Sequence, residues 1–94
     1  MAHLFIRHQT KDYTVWKATF DGLAEIRRAG GEKTCRIFHP YDDPNNLVLF
    51  FEWDNLANAR AFMANPDLKE TIGEGGVSET SEAYFLEEYE QGDV

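Results

Sequence analysis

Hydrophobic and polar residues alternate along three stretches of the chain, and a fourth stretch is almost wholly apolar. Alternation with a period of two is typical of β-strands, because successive side chains point to opposite faces of a sheet. The pattern predicts four strands: AHLFIRHQ at 2–9, KTCRIFHP at 33–40, LVLFFEW at 47–53 and SEAYFLEEYE at 81–90. The turn-rich segment DDPNN joins the second strand to the third, which predicts a hairpin.

Apolar residues recur at intervals of three and four between the first two strands, which is the spacing of one helix face. The aligned residues are Tyr13, Trp16, Phe20 and Leu23. Asp12 or Thr10 can cap the start of such a helix, and Gly30 with Gly31 can end it. We therefore expect a single helix over residues 12–29, with three aromatic side chains on one side.

A second helical pattern follows the third strand. The segment NLANARAFMAN at 55–65 is preceded by Asp54 as a candidate cap. The next segment, PDLKETI at 66–72, predicts a short helix that a glycine-rich stretch ends. Its glycines are Gly73, Gly75 and Gly76. Because they follow a helix instead of opening one, they do not form a phosphate-binding loop, and nucleotide binding has no support.

The order β-α-β-β-α-β predicts an α+β, ferredoxin-like fold, with residues 1–94 as a single domain. In that topology the antiparallel sheet has the strand order 4-1-3-2 and carries both helices on one face. The other face is expected to carry Phe5, Phe38, Val48 and Phe50. A sheet face open to water is normally polar, so something must cover these residues. A second copy of the chain is the simplest cover, and we expect a homodimer.

Composition and charge narrow the class of protein. The chain has 94 residues, of which 43% are hydrophobic, and its formal net charge is −8. Up to Lys69 nine acids balance nine bases, and the rest adds eight acids and no base, so we expect neither nucleic acid nor a membrane as a partner. The start MAHLFIRHQT has no secretory pattern and the single cysteine cannot form an internal disulfide, so we expect a cytoplasmic location.

Three segments, DYTVWKATFD, DDPNNLVLFFEWDNLANARAFMANPDLKETI and the closing YFLE, resemble a known family. It is that of the dimeric α/β-barrel proteins of the antibiotic-biosynthesis-monooxygenase type, with polyketide-cyclase-like and stress-responsive relatives. The resemblance implies that two ferredoxin-like chains form an α/β barrel. It also implies a cofactor-independent monooxygenase or cyclase acting on a small aromatic or polyketide-type compound. The alternative is a non-catalytic dimeric module that binds a small hydrophobic molecule or responds to stress.

The expected topology brings several candidate site residues to one end of the helix-covered face. The first two strands run in the same direction, so their histidines meet at the end where the first helix starts. The expected pocket mouth comprises His8, Tyr13, Trp16, His39 and Met63, with Phe20, Leu49 and Phe51 deeper. An apolar, aromatic cleft with a few polar tips is the usual make-up of a small-molecule site. Trp53 is expected at the far end of the sheet, away from this pocket.

His8 and His39 are the candidate catalytic residues, because histidine moves protons near neutral pH and either could deprotonate a phenolic substrate. Each histidine could equally cap a strand end, and the three helix aromatics could be ordinary core. The histidines should stand about 10 Å apart, with no third ligand in view, so we expect no metal. No haem-degrading Asn-Trp-His triad matches the chain, and we expect no other cofactor. Cys35 is expected to be buried packing.

Overall fold

A computed structural model describes residues 1–65 and 82–93 of the chain. The strands are β1 (Ala2–Gln9), β2 (Glu32–Phe38), β3 (Asn46–Trp53) and β4 (Glu82–Leu86). The helices are α1 (Tyr13–Gly22), α2 (Ala24–Gly30) and α3 (Leu56–Met63). None of the helices within the described ranges is long and apolar enough to cross a bilayer. The short helix predicted over 66–72, its glycines and the predicted strand start at Ser81 lie outside the described residues.

The strands form one antiparallel sheet in the order β2-β3-β1-β4, which confirms the predicted order 4-1-3-2. β1 and β3 lie at the centre and pair along their whole length, from Ala2 opposite Trp53 to Gln9 opposite Asn46. β2 and β4 form the two edges. The last strand is shorter than predicted, because its pairing with β1 is confined to residues 82–86. The sheet therefore places the ends of β1 and β3 beneath the helix layer.

The helix predicted over residues 12–29 is in fact two helices. α1 ends at Gly22, and α2 begins at Ala24. Between them Leu23 has φ −95° and ψ 2°, which departs from regular helical geometry. The glycine before the break has low helix propensity, so continuing the helix through it gains little. The break divides the helix layer into two short segments over the sheet.

The start of α1 is tied to the sheet at the end where His8 lies. Asp12 caps the helix, as predicted, and its carboxylate accepts a hydrogen bond of 2.8 Å from the backbone N–H of Thr14. The side-chain carbonyl of Asn45, in the loop before β3, accepts a hydrogen bond of 3.0 Å from the backbone N–H of Tyr13. These bonds fix the first turn of α1 above the end of β1.

The cap of α3 is Asn55 and not Asp54, the predicted residue. The Asn55 side chain accepts a hydrogen bond of 2.8 Å from the backbone N–H of Asn58. Asp54 lies one residue too early, because its own N–H donates to the carbonyl of Gly31 at 2.9 Å and holds it beside the sheet. The Asp54 carboxylate also stabilises the start of α3, because it accepts hydrogen bonds from the Asn55 backbone N–H and the Asn58 side-chain amide.

The two faces of the sheet differ as predicted. The helix-covered face holds the buried side chains Leu4, His8, Leu49, Phe51 and Trp53. The open face carries one aromatic ring from each strand in an unbroken row: Phe38, Phe50, Phe5 and Tyr84. Neighbouring ring centroids in this row are 6.1, 5.2 and 6.0 Å apart. The rings at both ends of the row are about half exposed. The sheet therefore presents a continuous aromatic surface on the side away from the helices.

Candidate functional site

A narrow cavity lies between the helix-covered face of the sheet and the helices. The residues that line it are Leu4, Ile6, His8, Trp16, Thr19, Phe20, Leu23, Arg27, Glu32, Leu49, Phe51, Trp53, Phe62 and Met63. The free volume of the cavity is about 50 Å³, which is more than one buried water requires. The space suits a single small ring, and a larger ligand requires the surrounding side chains to move.

His8 lies in the cavity wall at the carboxyl end of β1, below Trp16 as predicted. It is 5% exposed, and its ring meets the Trp16 indole edge-on with centroids 5.6 Å apart. Its Nε2 is buried and has no hydrogen-bond partner among the described residues. Burial lowers the pKa of His8 from 6.5 to about 4, because the charged ring loses its hydration. Near neutral pH the imidazole is therefore uncharged.

Two of the three aromatic side chains of α1, Trp16 and Phe20, pack in or against the core and also line the cavity. Trp16 is buried and stacks on Phe20, with centroids 4.8 Å apart and ring planes 20° apart. Phe20 in turn approaches Phe51 of β3 at 6.2 Å. Tyr13 packs edge-on against Trp16 at 5.9 Å but does not reach the cavity. The stacked pair therefore belongs to the core and also lines the cavity.

Leu49, Phe51 and Met63 line the cavity at the predicted positions, whereas His39 does not. β2 ends at Phe38, and His39 is exposed in the loop that follows, with its Nδ1 2.6 Å from the carbonyl oxygen of Pro40. The prediction carried the strand alternation through residue 39. Pairing with β3 stops one residue earlier, so parity no longer determines where this side chain lies.

Cys35 is exposed, which corrects the expectation of a buried thiol. It pairs with Phe51 and so has the parity of the helix-covered face. β2 is an edge strand, however, and four of its central residues, 33–36, are exposed. Parity identified the face, and the position at the sheet edge decided the exposure.

Trp53 lines the same cavity as Trp16, which corrects the expectation that it lies apart from the pocket. It stands at the far end of β3, as predicted, but the cavity extends that far along the sheet. The indole is 1% exposed and packs against Phe62 of α3 with centroids 5.0 Å apart. Its Nε1 is buried without a hydrogen-bond partner in the part of the chain that the structure describes.

A buried ion pair between Arg27 of α2 and Glu32 of β2 lies at this far end, and the sequence analysis did not identify it. Arg27 Nη1 lies 2.5 Å from Glu32 Oε2, and both side chains are at least nine-tenths buried. Arg27 Nη2 also donates to the carbonyl of Phe20 at 3.1 Å, and its guanidinium lies 3.7 Å from the centre of the Phe20 ring. Burial raises the pKa of Glu32, and the guanidinium opposes that shift.

One signal in the sequence could have revealed Arg27, but none pointed to Glu32. Arg27 continues the helical spacing of Trp16, Phe20 and Leu23, so it falls on the buried side of the helix layer. Glu32 has the parity of Thr34 and Arg36, which face the open side of the sheet. The register between β2 and β3 shifts between Glu32 and Thr34, and this bulge turns Glu32 to the opposite face.

Metal ligands do not gather around the cavity. Within residues 1–65 and 82–93, no group of three histidine, cysteine, aspartate or glutamate side chains is placed to hold a metal ion. The polar atoms available there are an imidazole nitrogen at one end and a guanidinium, a carboxylate and an indole N–H at the other. Their geometry suits hydrogen bonding and proton transfer to an organic ligand.

Comparison with solved structures shows which fold surrounds this cavity. SnoaB, a cofactor-independent oxygenase from Streptomyces nogalater, matches 96% of this chain and 94% of its own with a TM-score of 0.79 and 16% identity. An antibiotic biosynthesis monooxygenase matches 96% of this chain and 100% of its own, with a TM-score of 0.72 and 14% identity. Rv0793 from Mycobacterium tuberculosis matches 99% and 100%, with a TM-score of 0.68 and 15% identity.

These likenesses confirm the predicted resemblance at the level of the fold. The chain has the ferredoxin-like fold of the antibiotic-biosynthesis-monooxygenase structures over nearly its whole length. Neither a protein-family model nor a curated protein matches its sequence. At such low identity the likeness assigns no role to any residue, so the chemistry has to be argued from the cavity itself.

Proposed function

We propose that this chain is a cofactor-independent monooxygenase, or a related cyclase, that acts on a small electron-rich aromatic compound held between the sheet and the helices. One observation carries the proposal: the Nε2 of His8 is buried, has no hydrogen-bond partner within residues 1–65 and 82–93, and lies in the wall of a cavity lined by aromatic rings. The printed description of SnoaB as a cofactor-independent oxygenase supports it, because the two chains share a fold.

In this mechanism His8 accepts the proton of a phenolic substrate. Its uncharged ring is ready to do so near neutral pH, although a pKa of about 4 makes it a weak base. The substrate anion that forms beside it offsets this weakness, since opposite charges attract strongly in an apolar cavity. Proton transfer therefore depends on this attraction and takes place only with the substrate beside His8.

Oxygen chemistry then draws its electrons from the substrate. The anion passes an electron to O₂, and a bond forms between a ring carbon and oxygen. When the O–O bond breaks, one oxygen atom stays in the substrate as a carbonyl. The other leaves as water with the two hydrogens that the substrate has lost, so the product is a quinone. The protein supplies orientation, one base and shelter from water.

Trp16 and Phe20 are the proposed positioning residues. Both rings line the cavity, so an aromatic substrate held there packs against them. The His8 ring packs against the same indole, so a substrate ring in contact with Trp16 lies beside the base. Leu49, Phe51 and Met63 complete the proposed apolar site from the sheet and α3. The site therefore orders a flat compound with little polar contact.

The low pKa of His8 and the small free volume favour a second candidate, in which the cavity binds a small hydrophobic molecule without turning it over. The two functions share every wall residue and differ in whether His8 takes up a proton. Turnover, and not binding, separates them.

The test uses naphthol as substrate and measures O₂ uptake together with the formation of naphthoquinone. With isotopically heavy O₂, we expect one labelled oxygen atom in each quinone. His8→Gln should slow the reaction by about a hundredfold, the usual contribution of a general base. His3→Gln is the matched control, because His3 lies on β1 with the opposite parity. Equal rates for wild type and His8→Gln would remove His8 from the mechanism, and binding without O₂ uptake would establish the second candidate.

We also propose that two chains associate through their open sheet faces and that the dimer resides in the cytoplasm. The row of four aromatic rings across the sheet supports the first proposal, because monomeric proteins rarely expose so continuous an apolar surface. The single cysteine, which is free, is in keeping with the second.

A further inference from the structure

Three buried polar atoms at the far end of the cavity have no hydrogen-bond partner among the described residues. They are the Nε of Arg27, the Oε1 of Glu32 and the Nε1 of Trp53. All three side chains line the cavity, and all are at least nine-tenths buried. Leaving buried polar groups unpaired costs free energy, so three such atoms together indicate that a bound molecule supplies their hydrogen-bond partners.

The local backbone holds these three groups together. Glu32 and Trp53 are directly opposite each other on β2 and β3, and the bulge beside Glu32 turns it toward the helices. The ion pair with Arg27 fixes the orientation of both charged side chains. Along β3 the backbone of Trp53 is six residues, or about 20 Å, from Leu47, the residue opposite His8. The Arg27 guanidinium is nearer, because the Phe20 and Trp16 rings link it to the His8 ring over at most about 14 Å. The two rings therefore stand between this group and the proposed base.

Resting on the proposed function, we infer that the Arg27, Glu32 and Trp53 end of the cavity binds an uncharged hydroxyl group at the end of the aromatic substrate distal to His8. A hydroxyl oxygen accepts hydrogen bonds from the guanidinium and indole N–H groups, and its own proton is donated to the free carboxylate oxygen. The substrate class is therefore an elongated planar compound that carries a hydroxyl at its far end.

Ligands with other polar groups pair less well with Arg27, Glu32 and Trp53. A carboxylate ligand would place a second negative charge beside Glu32, and an amine would place a second positive charge beside Arg27. A ketone accepts hydrogen bonds but leaves the carboxylate oxygen unpaired. Burial raises the pKa of Glu32, so its oxygen attracts a shared proton more strongly than an exposed carboxylate does. A neutral hydroxyl meets all three requirements.

Phenol, benzene and benzoate form a matched set of probes that differ only in the polar group. Binding is followed by NMR on the intact protein through the indole N–H signals of Trp16 and Trp53. We expect phenol to bind at least about tenfold more tightly than benzene or benzoate, in keeping with at least one additional buried hydrogen bond. The Trp53 signal should shift with phenol and stay in place with benzene. Equal affinities, or a Trp53 signal that ignores phenol, would overturn the inference and leave an ordered water as the partner of these atoms.

A double variant, Arg27→Met with Glu32→Leu, removes the polar end without leaving a lone buried charge, and such replacements usually preserve folding. We expect it to lose most of the Trp53 shift with phenol, because a phenol whose hydroxyl contacts only His8 does not reach Trp53. Glu25→Gln is the matched control, because Glu25 pairs with Arg28 on the exposed side of α2, and it should retain the full shift. A double variant that folds and keeps the full Trp53 shift would contradict the assignment.

The Trp53 response to phenol and the oxidation of naphthol can fail separately. If His8→Gln leaves naphthol oxidation unchanged while phenol still shifts the Trp53 signal, the proposed chemistry fails and the hydroxyl site stands. If phenol does not shift the Trp53 signal while wild-type protein still oxidises naphthol, the hydroxyl site fails and the proposed chemistry stands.

Discussion

At the scale of single residues, burial separates His8 from the two other histidines. His8 is enclosed beneath Trp16, whereas His39 is exposed in a loop and His3 is half-buried on the other face of the sheet. Only an enclosed ring loses enough hydration to change its charge state substantially. The same burial that makes His8 a candidate base also means that protonation of His8 destabilises the fold.

Burial of His8 makes the stability of the fold depend on pH. The unfolded chain takes up a proton at His8 near pH 6.5, but the folded chain does so only near pH 4. The contribution of the neutral ring to stability is therefore complete above about pH 6.5 and is lost as the pH falls toward 4. We expect the free energy of unfolding to fall by about 2 kcal/mol between about pH 7 and about pH 5, measured by urea denaturation.

His8→Gln should remove most of that pH dependence, because glutamine does not titrate. His3→Gln should retain it, since it leaves the buried ring in place. A pH dependence as steep in His8→Gln as in wild type would assign the effect to other groups.

At the scale of elements, the turn between α2 and β2 positions the polar end of the cavity. Gly31 follows α2 with φ 120°, a conformation that side-chain-bearing residues rarely adopt. A Cβ at this position would also lie 2.8 Å from the Cγ of Asp54. Only glycine therefore allows the chain to turn here and deliver Glu32 opposite Trp53.

Gly31→Ala should destabilise the fold by about 1 to 3 kcal/mol. Alanine would have to adopt a strained φ angle, and its Cβ would clash with the Asp54 side chain. Gly22→Ala is the matched control at the end of α1, where a Cβ would meet nothing within 4 Å. It should leave stability unchanged or raise it by up to about 1 kcal/mol. Thermal or urea denaturation of the two variants decides this, and equal losses from both would contradict the special role of Gly31.

At the scale of the whole molecule, the aromatic row on the open face sets the expected assembly. Phe50 is at the centre of the row, in edge contact with Phe5 on one side and Phe38 on the other, and it remains 40% exposed. A sheet that packed against the same face of a second copy would cover the whole row with one symmetric contact. Association would then bury aromatic rings that a single chain leaves partly exposed.

Light scattering or sedimentation should accordingly give about twice the chain mass of 10.8 kDa for the wild-type protein. Phe50→Glu should shift the mass to that of one chain or prevent folding, because it introduces a charge at the centre of the contact. Ile26→Glu is the control, since Ile26 is 53% exposed on α2, in the helix layer. A wild-type protein that remains monomeric at micromolar concentration would refute the dimer.

Much of the fold was predictable from the spacing of hydrophobic residues along the chain. Alternation identified three strands and a short apolar run identified the other, each within a few residues, and the two helical segments followed from their apolar spacing. The boundaries were less accurate, because they depend on local details such as the geometry at Leu23 and the bond from Asp54 to Gly31. Trp16 above His8 followed directly from parity and helix phase. His39 was misplaced because the strand stops one residue short of it.

The sequence by itself determined the strand order, the two faces of the sheet and the half of the cavity around His8, since these depend on period and connectivity. Only the tertiary structure decided the other half. A bulge next to Glu32 reversed the parity of that residue and turned it toward Arg27 of α2. The cavity also extends along the sheet as far as Trp53. Period specifies which side of a regular element a residue occupies, but a bulge or a break changes that side through contacts between elements.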